Sequence, residues 1–202
     1  MSSKYYLKNG LRIVNHYKHE FLTFTKKRWL GEKLLDIYVK EFVAHSRLYY
    51  EEAISDGRIS VNGQRVSCEY KLQDNDKIVH AVTRKETPVL DIPIKVLYED
   101  KDLIAVDKPC SMPVHEGGNY KFNTLMGLLE EEHGYKGLKC VHRLDKQTSG
   151  IVFFARNEKT ANEFRVAMTT DAVKKEYLAR VIGDFRIAAG GVEAVVKKWV
   201  YV

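Results

Sequence analysis

The stretch that most constrains this chain is Val141-His142-Arg143-Leu144-Asp145-Lys146-Gln147-Thr148-Ser149-Gly150, which runs directly into Ile151-Val152-Phe153-Phe154-Ala155. A carboxylate after an apolar residue, then two hydroxyl side chains and a glycine, makes a tight polar turn, and the apolar run behind it reads as a strand. Together they deliver one acid, Asp145, to a sheet edge, where functional groups concentrate. Spacing alone favours a simpler role for Asp145, that of a turn cap accepting backbone N–H bonds. His142 likewise reads as a hydrogen-bonded turn residue rather than a metal ligand, because no Cys or His stands at zinc spacing around it.

Length and charge narrow the class. With 202 residues and 45% hydrophobic content the chain has enough material for one moderate domain or two small ones, and disorder is not expected. A net charge of +6 favours a polyanionic partner, since Lys and Arg gain affinity by releasing counterions from phosphates. Cys68, Cys110 and Cys140 are far apart and odd in number, so they read as thiols of a reducing compartment rather than a disulfide framework. No apolar run approaches the roughly 20 residues that cross a bilayer, and Met1-Ser2-Ser3-Lys4-Tyr5-Tyr6 lacks a signal-peptide core. The expectation is a soluble intracellular protein without a membrane partner, in the cytoplasm, the mitochondrion or the nucleus.

Along the chain, Tyr5 to Val14 holds two short apolar pieces around Asn9-Gly10, a hairpin signal. His16 to Trp29 mixes Tyr17, Phe21 and Phe24 with Lys18, Lys26, Lys27 and Arg28, a pattern that serves either base stacking and phosphate contact or a small core with a charged rim. From Gly31, Leu34, Leu35, Tyr38, Val39 and Phe42 recur at helical steps. A second helix is expected from Ser46 as N-cap to Gly57, with Leu48, Ala53 and Ile54 inward. Ile59 to Val66 alternates around Asn62-Gly63 as a hairpin, and Asp74-Asn75-Asp76 turns into a strand from Lys77 to Val82. Residues 84–93, with Pro88 and Pro93, read as a linker crossed by few contacts. Two strands, Ile94–Tyr98 and Leu103–Val106, then flank an acidic turn. Helices follow at Thr124–His133 and Thr160–Thr169, the first with Leu125, Leu128 and Leu129 inward and Gly134 ending it, the second with Ala161, Phe164, Val166 and Ala167 as its apolar set. Lys174 to Gly183 alternates as a strand.

Two resemblances organise these pieces. Ser46-Arg47, Ile54, Gly57-Arg58, Val61-Asn62-Gly63 and Asp76 with Ile78 resemble the S4 RNA-binding module in order and spacing. That likeness makes Arg47, Arg58, Arg65 and Lys71 candidates for one basic face. The stretch around Asp145 resembles the H-R-L-D-x-x-T-S-G signature of the RluA family of RNA pseudouridine synthases. Asp107 to His115 resembles the family's N/D-K-P-x-G-x-P-V-H segment with Ser111 in place of a glycine, and Lys174 to Gly183 resembles its K-x-Y-x-A-x-V-x-G strand. Gly10-Leu11-Arg12 and Lys27-Arg28-Trp29 are similar to the eukaryotic branch of the family.

The resemblance implies an α+β fold: an N-terminal extension over residues 1–30, an S4-like domain over 31–83, the linker 84–93, part of a catalytic domain over 94–185 and a divergent tail over 186–202. It implies isomerisation of uridine to pseudouridine in RNA, tRNA first and mRNA or rRNA after it, without metal or cofactor. Asp145 would be the nucleophilic or charge-stabilising carboxylate, and Tyr177 would stack on the uracil and help move the proton. A uridine in structured RNA must flip out to meet the carboxylate, and Arg143 would fill the vacated stack or hold the displaced backbone. His142, Leu144, Thr148 and Ser149 would shape the loop, while Lys108 and Lys175 would hold phosphates or pair with acids.

The family's later K-x-x-H-Q-[IL]-R segment, which supplies a basic partner for the aspartate, has no match after Gly183-Asp184-Phe185, so a truncated or divergent end with exposed apolar edges is expected. The rival function is a non-catalytic RNA-binding fragment that keeps the S4-like face. A deaminase remnant is set aside, because no H-x-E and P-C-x-x-C signature is present.

Overall fold

A computed structural model describes residues 4–170 and 172–180. Of these, the residues through Asn162 form one compact unit and those from Glu163 onward a second. The first unit is α+β, as expected, and begins with the hairpin of β1 (Tyr5–Lys8) and β2 (Leu11–Val14), with Lys8 opposite Leu11.

Next come β3 (Tyr17–Phe24), a 3-10 turn (Lys27–Trp29), α1 (Leu34–Glu41) and α2 (Arg47–Ser55). α1 buries Leu34, Leu35, Ile37 and Tyr38, but Val39, expected inward, is exposed. One residue past Tyr38 the helix has turned by about 100°, away from the core. In α2 the Ser46 hydroxyl accepts the Tyr49 N–H at 3.3 Å, and Ala53 and Ile54 are fully buried. Leu48 points outward instead, because the buried arc runs through Tyr50, Ala53 and Ile54, about 200° from it.

β4 (Ile59–Val61) enters the Asn62-Gly63 turn, where both residues take positive φ of 52° and 76°. Glycine makes the second of these inexpensive. The expected return strand to Val66 does not form beyond a Val61–Gln64 bridge. β4 pairs instead with β5 (Lys77–Arg84), which also pairs with β3, giving the antiparallel order β3-β5-β4. The buried Asp76 carboxylate explains the choice: it accepts from Asn62 Nδ2 (2.7 Å), the Tyr70 hydroxyl (3.1 Å) and Gln73 N (2.8 Å), while Asn62 Oδ1 accepts from Lys77 N (2.9 Å). These bonds hold the turn to the start of β5. Trp29, Leu34, Tyr50, Ile54, Ile59, Leu72 and Ile78 fill the core under this sheet. Each aliphatic side chain so buried contributes about 1.5–3 kcal/mol relative to exposure.

The stretch expected as a linker is built into the structure. β6 (Val89–Leu90) pairs with β2, and Val89 belongs to the second core. Glu86, 2% exposed, accepts from the Tyr17 hydroxyl (2.8 Å), Phe122 N (3.0 Å) and Asn123 N (2.9 Å). A carboxylate buried with that many donors is a pin between distant segments, which a free linker would lack. Burial and the neighbouring carboxylate push the Tyr17 phenol well above its usual range, so it remains a donor.

The second sheet is antiparallel in the order β7-β8-β10-β9, from β7 (Lys95–Glu99), β8 (Leu103–Lys108), α3 (Leu125–His133) beside it in sequence, β9 (Lys139–Cys140) and β10 (Gly150–Ala155). Asp100 closes the β7–β8 turn by accepting from Asp102 N and Leu103 N, bonds that hold its carboxyl below the usual range. α3 starts at the Thr124 hydroxyl, which accepts Gly127 N at 3.0 Å, and ends at Gly134. Its Leu125, Leu128 and Leu129 pack with Ile104, Val106, Val152 and Phe154.

α4 (Glu158–Thr169) carries the chain into the second unit. Ala161 is buried, whereas Val166, expected inward, is exposed. Residues 174–180, expected as a strand, take no regular structure and pair with no strand among the described residues, and Tyr177 is exposed. The rest of that expected strand and the tail lie outside the described residues.

Candidate active site

The apolar run Ile151–Ala155 becomes the strand beside β8, and the polar turn before it emerges as an irregular loop at the end of that strand pair. Gly150 opposite Lys108 is the last paired position, so the register sets residues 141–149 and 109–117 side by side where the sheet stops. Gly150 has φ of 124°, backbone that a side chain would strain, and this lets the turn feed directly into the ladder.

Asp145 is exposed, and its carbonyl accepts Thr148 N at 3.1 Å, closing a four-residue turn. The turn therefore spends the backbone of Asp145 and presents its side chain. Beneath it sits Lys108, fully buried, whose Nζ donates to the carbonyls of Pro109 (2.9 Å), Met112 (2.8 Å) and Lys146 (3.3 Å). Three donors meet three acceptors, so the ammonium ties the Asp145 turn to the loop after β8. Burial lowers the Lys108 pKa to about 8, while Cys110 and the Asp145 carboxylate oppose the shift. At neutral pH it stays cationic, lending positive charge beneath the aspartate. Of the two roles expected for Lys108, holding a phosphate or pairing with an acid, burial disfavours the first, and the charge of the Asp145 carboxylate nearby is in keeping with the second.

The rest of the loop is held on one side and open on the other. His142 is half-buried, its Nε2 accepting the Phe153 N–H at 3.1 Å, and so fastens the loop to β10. Arg143 is exposed, with Nη1 3.5 Å from Nε2 of His115 on the opposite loop. Lys146 lies over the Tyr120 ring at 5.8 Å, and Thr148 is half-buried in the turn. Ser111 adopts φ of 75°, the left-handed geometry of the glycine it replaces, and its hydroxyl accepts Leu90 N at 2.8 Å. Asp145 and Arg143 thus face solvent, with the half-buried His115 beside the arginine, on loops fixed from below.

Two family models match the chain. A model described as RNA pseudouridylate synthase matches residues 102–198, and a model described as S4 domain matches residues 34–78. Residues 102–198 belong to the RNA pseudouridylate synthase family. It is 40% identical over 181 residues to rice "RNA pseudouridine synthase 7", covering 90% of this chain and 46% of that protein. It is 39% identical to human "Pseudouridylate synthase RPUSD2", covering 91% of this chain and 34% of that protein. It is 37% identical to yeast "tRNA pseudouridine(32) synthase, mitochondrial", covering 87% and 38%. The chain spans less than half the length of these relatives.

In this family setting the S4 domain runs from α1 into β5, and two residues of its expected basic face, Arg47 and Arg58, are paired with carboxylates. Arg47 lies 2.9 Å from Glu51 and 3.5 Å from Asp36, and Arg58 lies 2.8 Å from Asp56 while its guanidinium sits 4.9 Å from the Tyr49 ring centre. Exposed pairs of this kind remain available to exchange partners with a phosphate. Tyr177 and Lys175 fall in the second unit, in the stretch without regular structure.

Glu86 and the role of Lys108 were missed from sequence. A lone Glu between Lys85 and Thr87 carries no periodic or motif signal, and the carbonyl acceptors of Lys108 lie one, four and 38 residues away, beyond what a local pattern can show.

Proposed function

We propose that this chain acts as an RNA pseudouridine synthase, with Asp145 as the carboxylate that meets the flipped uridine. The observation that carries the reading is an exposed Asp145 on a turn whose backbone is closed on itself and clamped from below by Lys108. In the reaction the bond from ribose C1′ to uracil N1 breaks and a bond from C1′ to C5 forms. N1 gains a proton and C5 loses one, so the sum is an isomerisation with no oxidant or metal. Arg143, exposed beside Asp145, takes the place of the extruded base or holds its backbone, a use suited to a planar guanidinium. Tyr177 would stack on the uracil. The S4 domain supplies further RNA contact through Arg47 and Arg58 once their carboxylate partners yield to phosphate.

The substrate class proposed is tRNA, supported by the printed name of the yeast relative, which also makes the mitochondrion the first compartment to examine. Tritium release from RNA labelled at uridine C5 tests the reading. The parent chain should release tritium, and Asp145→Ala should reduce release by at least about a thousandfold while melting at the same temperature, since only its backbone is bonded within the turn. Release unchanged in Asp145→Ala, or RNA binding by the parent without release, would sink the proposal and leave an RNA-binding protein.

A further inference from the structure

The segment 16–29 carries aromatics and bases that the functional reading has not used. In β3, Tyr17, His19 and Phe21 stand at every second position and share one face. Their rings form a row with Phe122: Phe122 to Tyr17 is 4.9 Å between centres, Tyr17 to His19 6.4 Å and His19 to Phe21 4.6 Å, all edge-to-face. Phe21 is 49% exposed, a large apolar ring left open at the end of the row. Cations flank it. The Arg84 guanidinium lies 5.5 Å from the Phe21 ring centre, and Lys121 Nζ lies 5.5 Å from that of Phe122.

The row has an anchored end and an open end. Tyr17 and Phe122 are tied together through Glu86, which accepts from the Tyr17 hydroxyl and from Phe122 N. Arg84 continues into the loop that carries His115, through Glu116 at 3.5 Å and the Gly118 carbonyl at 2.5 Å. That same loop meets Arg143 beside Asp145. The row therefore leads from the S4 sheet to the loops around the candidate carboxylate within a single compact unit. Burial and the nearby Arg84 and Lys121 lower the His19 pKa, which keeps its ring neutral and flat-faced for stacking at physiological pH.

We propose that the Tyr17–His19–Phe21 face of β3 is a stacking platform for unpaired nucleotides flanking the target uridine. Bases would lie on Phe21 and His19, with Lys121 holding the adjacent phosphate. Aromatic rings bordered by cations fit single-stranded nucleic acid better than a protein surface, because every base offers a π-face and every linkage a charge. The proposal rests on the synthase reading for its substrate, and its test separates the two.

Binding of a 5′-fluorescein-labelled unstructured RNA oligonucleotide and of a tRNA anticodon stem-loop to the full chain should be measured by anisotropy, beside tritium release. Phe21→Leu, which keeps apolar bulk and removes the ring, and His19→Ala should each raise Kd by about tenfold. Leu22→Ala, exposed on the opposite face of the same strand, should leave Kd unchanged and controls for damage to the β3–β5 ladder. For the stem-loop, KM should rise with little change in kcat. Parental Kd in both Phe21→Leu and His19→Ala overturns the platform, as does equal weakening by Leu22→Ala. Binding sensitive to Phe21 without tritium release keeps the platform and removes the synthase reading.

Discussion

The S4 half of the first unit and the half that carries Asp145 are both small antiparallel sheets with helices, yet their polar framework is assembled differently. In the S4 half the bonds from Asn62 to Asp76 and Lys77 span 14 and 15 residues, and others are local. Ser46 caps its own helix three residues on, Asp76 reaches Gln73 and Tyr70, and Arg58 pairs with Asp56. In the Asp145 half local bonds are joined by longer ones: Lys108 reaches Lys146 across 38 residues, and Leu90 finds Ser111 across 21. A site that must present one carboxylate in fixed geometry is held by cross-chain bonds to its backbone, whereas a binding surface tolerates local and exchangeable ones. Glu86 joins the halves, since its donors come from both β3 and the segment before α3.

The sharpest break of this comparison is Lys108→Met. It leaves three carbonyls without their donor and releases the Asp145 turn, so it should cost about 3–4 kcal/mol in urea denaturation and lower tritium release by about a hundredfold. A fully active variant would show that the clamp is incidental.

Next in size is the pH response of the S4 half. Burial, with help from His45 and Arg58, lowers the His80 pKa to about 4 from an unfolded value near 6.5. Between those values the unfolded chain binds the extra proton, so stability is full above about pH 6.5 and falls by about 2–3 kcal/mol as pH drops to 4. Denaturation midpoints taken across that window for the parent and His80→Gln check it, since the variant should lose this share of the slope.

Glu86→Gln addresses the junction. An amide replaces one acceptor oxygen with a donor against N–H groups, and about 2 kcal/mol of stability should go, with both sheets affected in hydrogen exchange. Loss confined to one sheet would mean that the halves are independent. The smallest effect is expected from Arg47→Ala, whose exposed pairs with Asp36 and Glu51 should move Tm by no more than about 1 °C. RNA affinity, however, should become less salt-sensitive, a change readable from the slope of log Kd against log salt.

Much of both halves was readable in advance, and for one reason. Helix caps at Ser46 and Thr124, the turns at Asn9-Gly10 and Asn62-Gly63, and the strand after Gly150 depend on residues within a few positions of each other. Readings failed where burial was decided from outside the segment. Val39 and Leu48 fit an apolar face by type, but the neighbouring elements cover Ile37 and Tyr50 instead. The return strand after Gly63 lost its partner to β5, and the proline-bounded stretch 84–93 became a strand and a buried carboxylate.

By itself, then, the sequence determined the family, the four helices and the acid presented before the strand after Gly150, because signature residues and local turn chemistry are written in adjacent positions. The tertiary structure alone decided that the Lys108 ammonium is buried against three carbonyls, and that Glu86 joins the sheets. It also brought the β3 aromatics into line with the loop that faces Asp145. Those outcomes depend on which donors and acceptors meet after segments tens of residues apart have packed, and no short-range pattern carries that information.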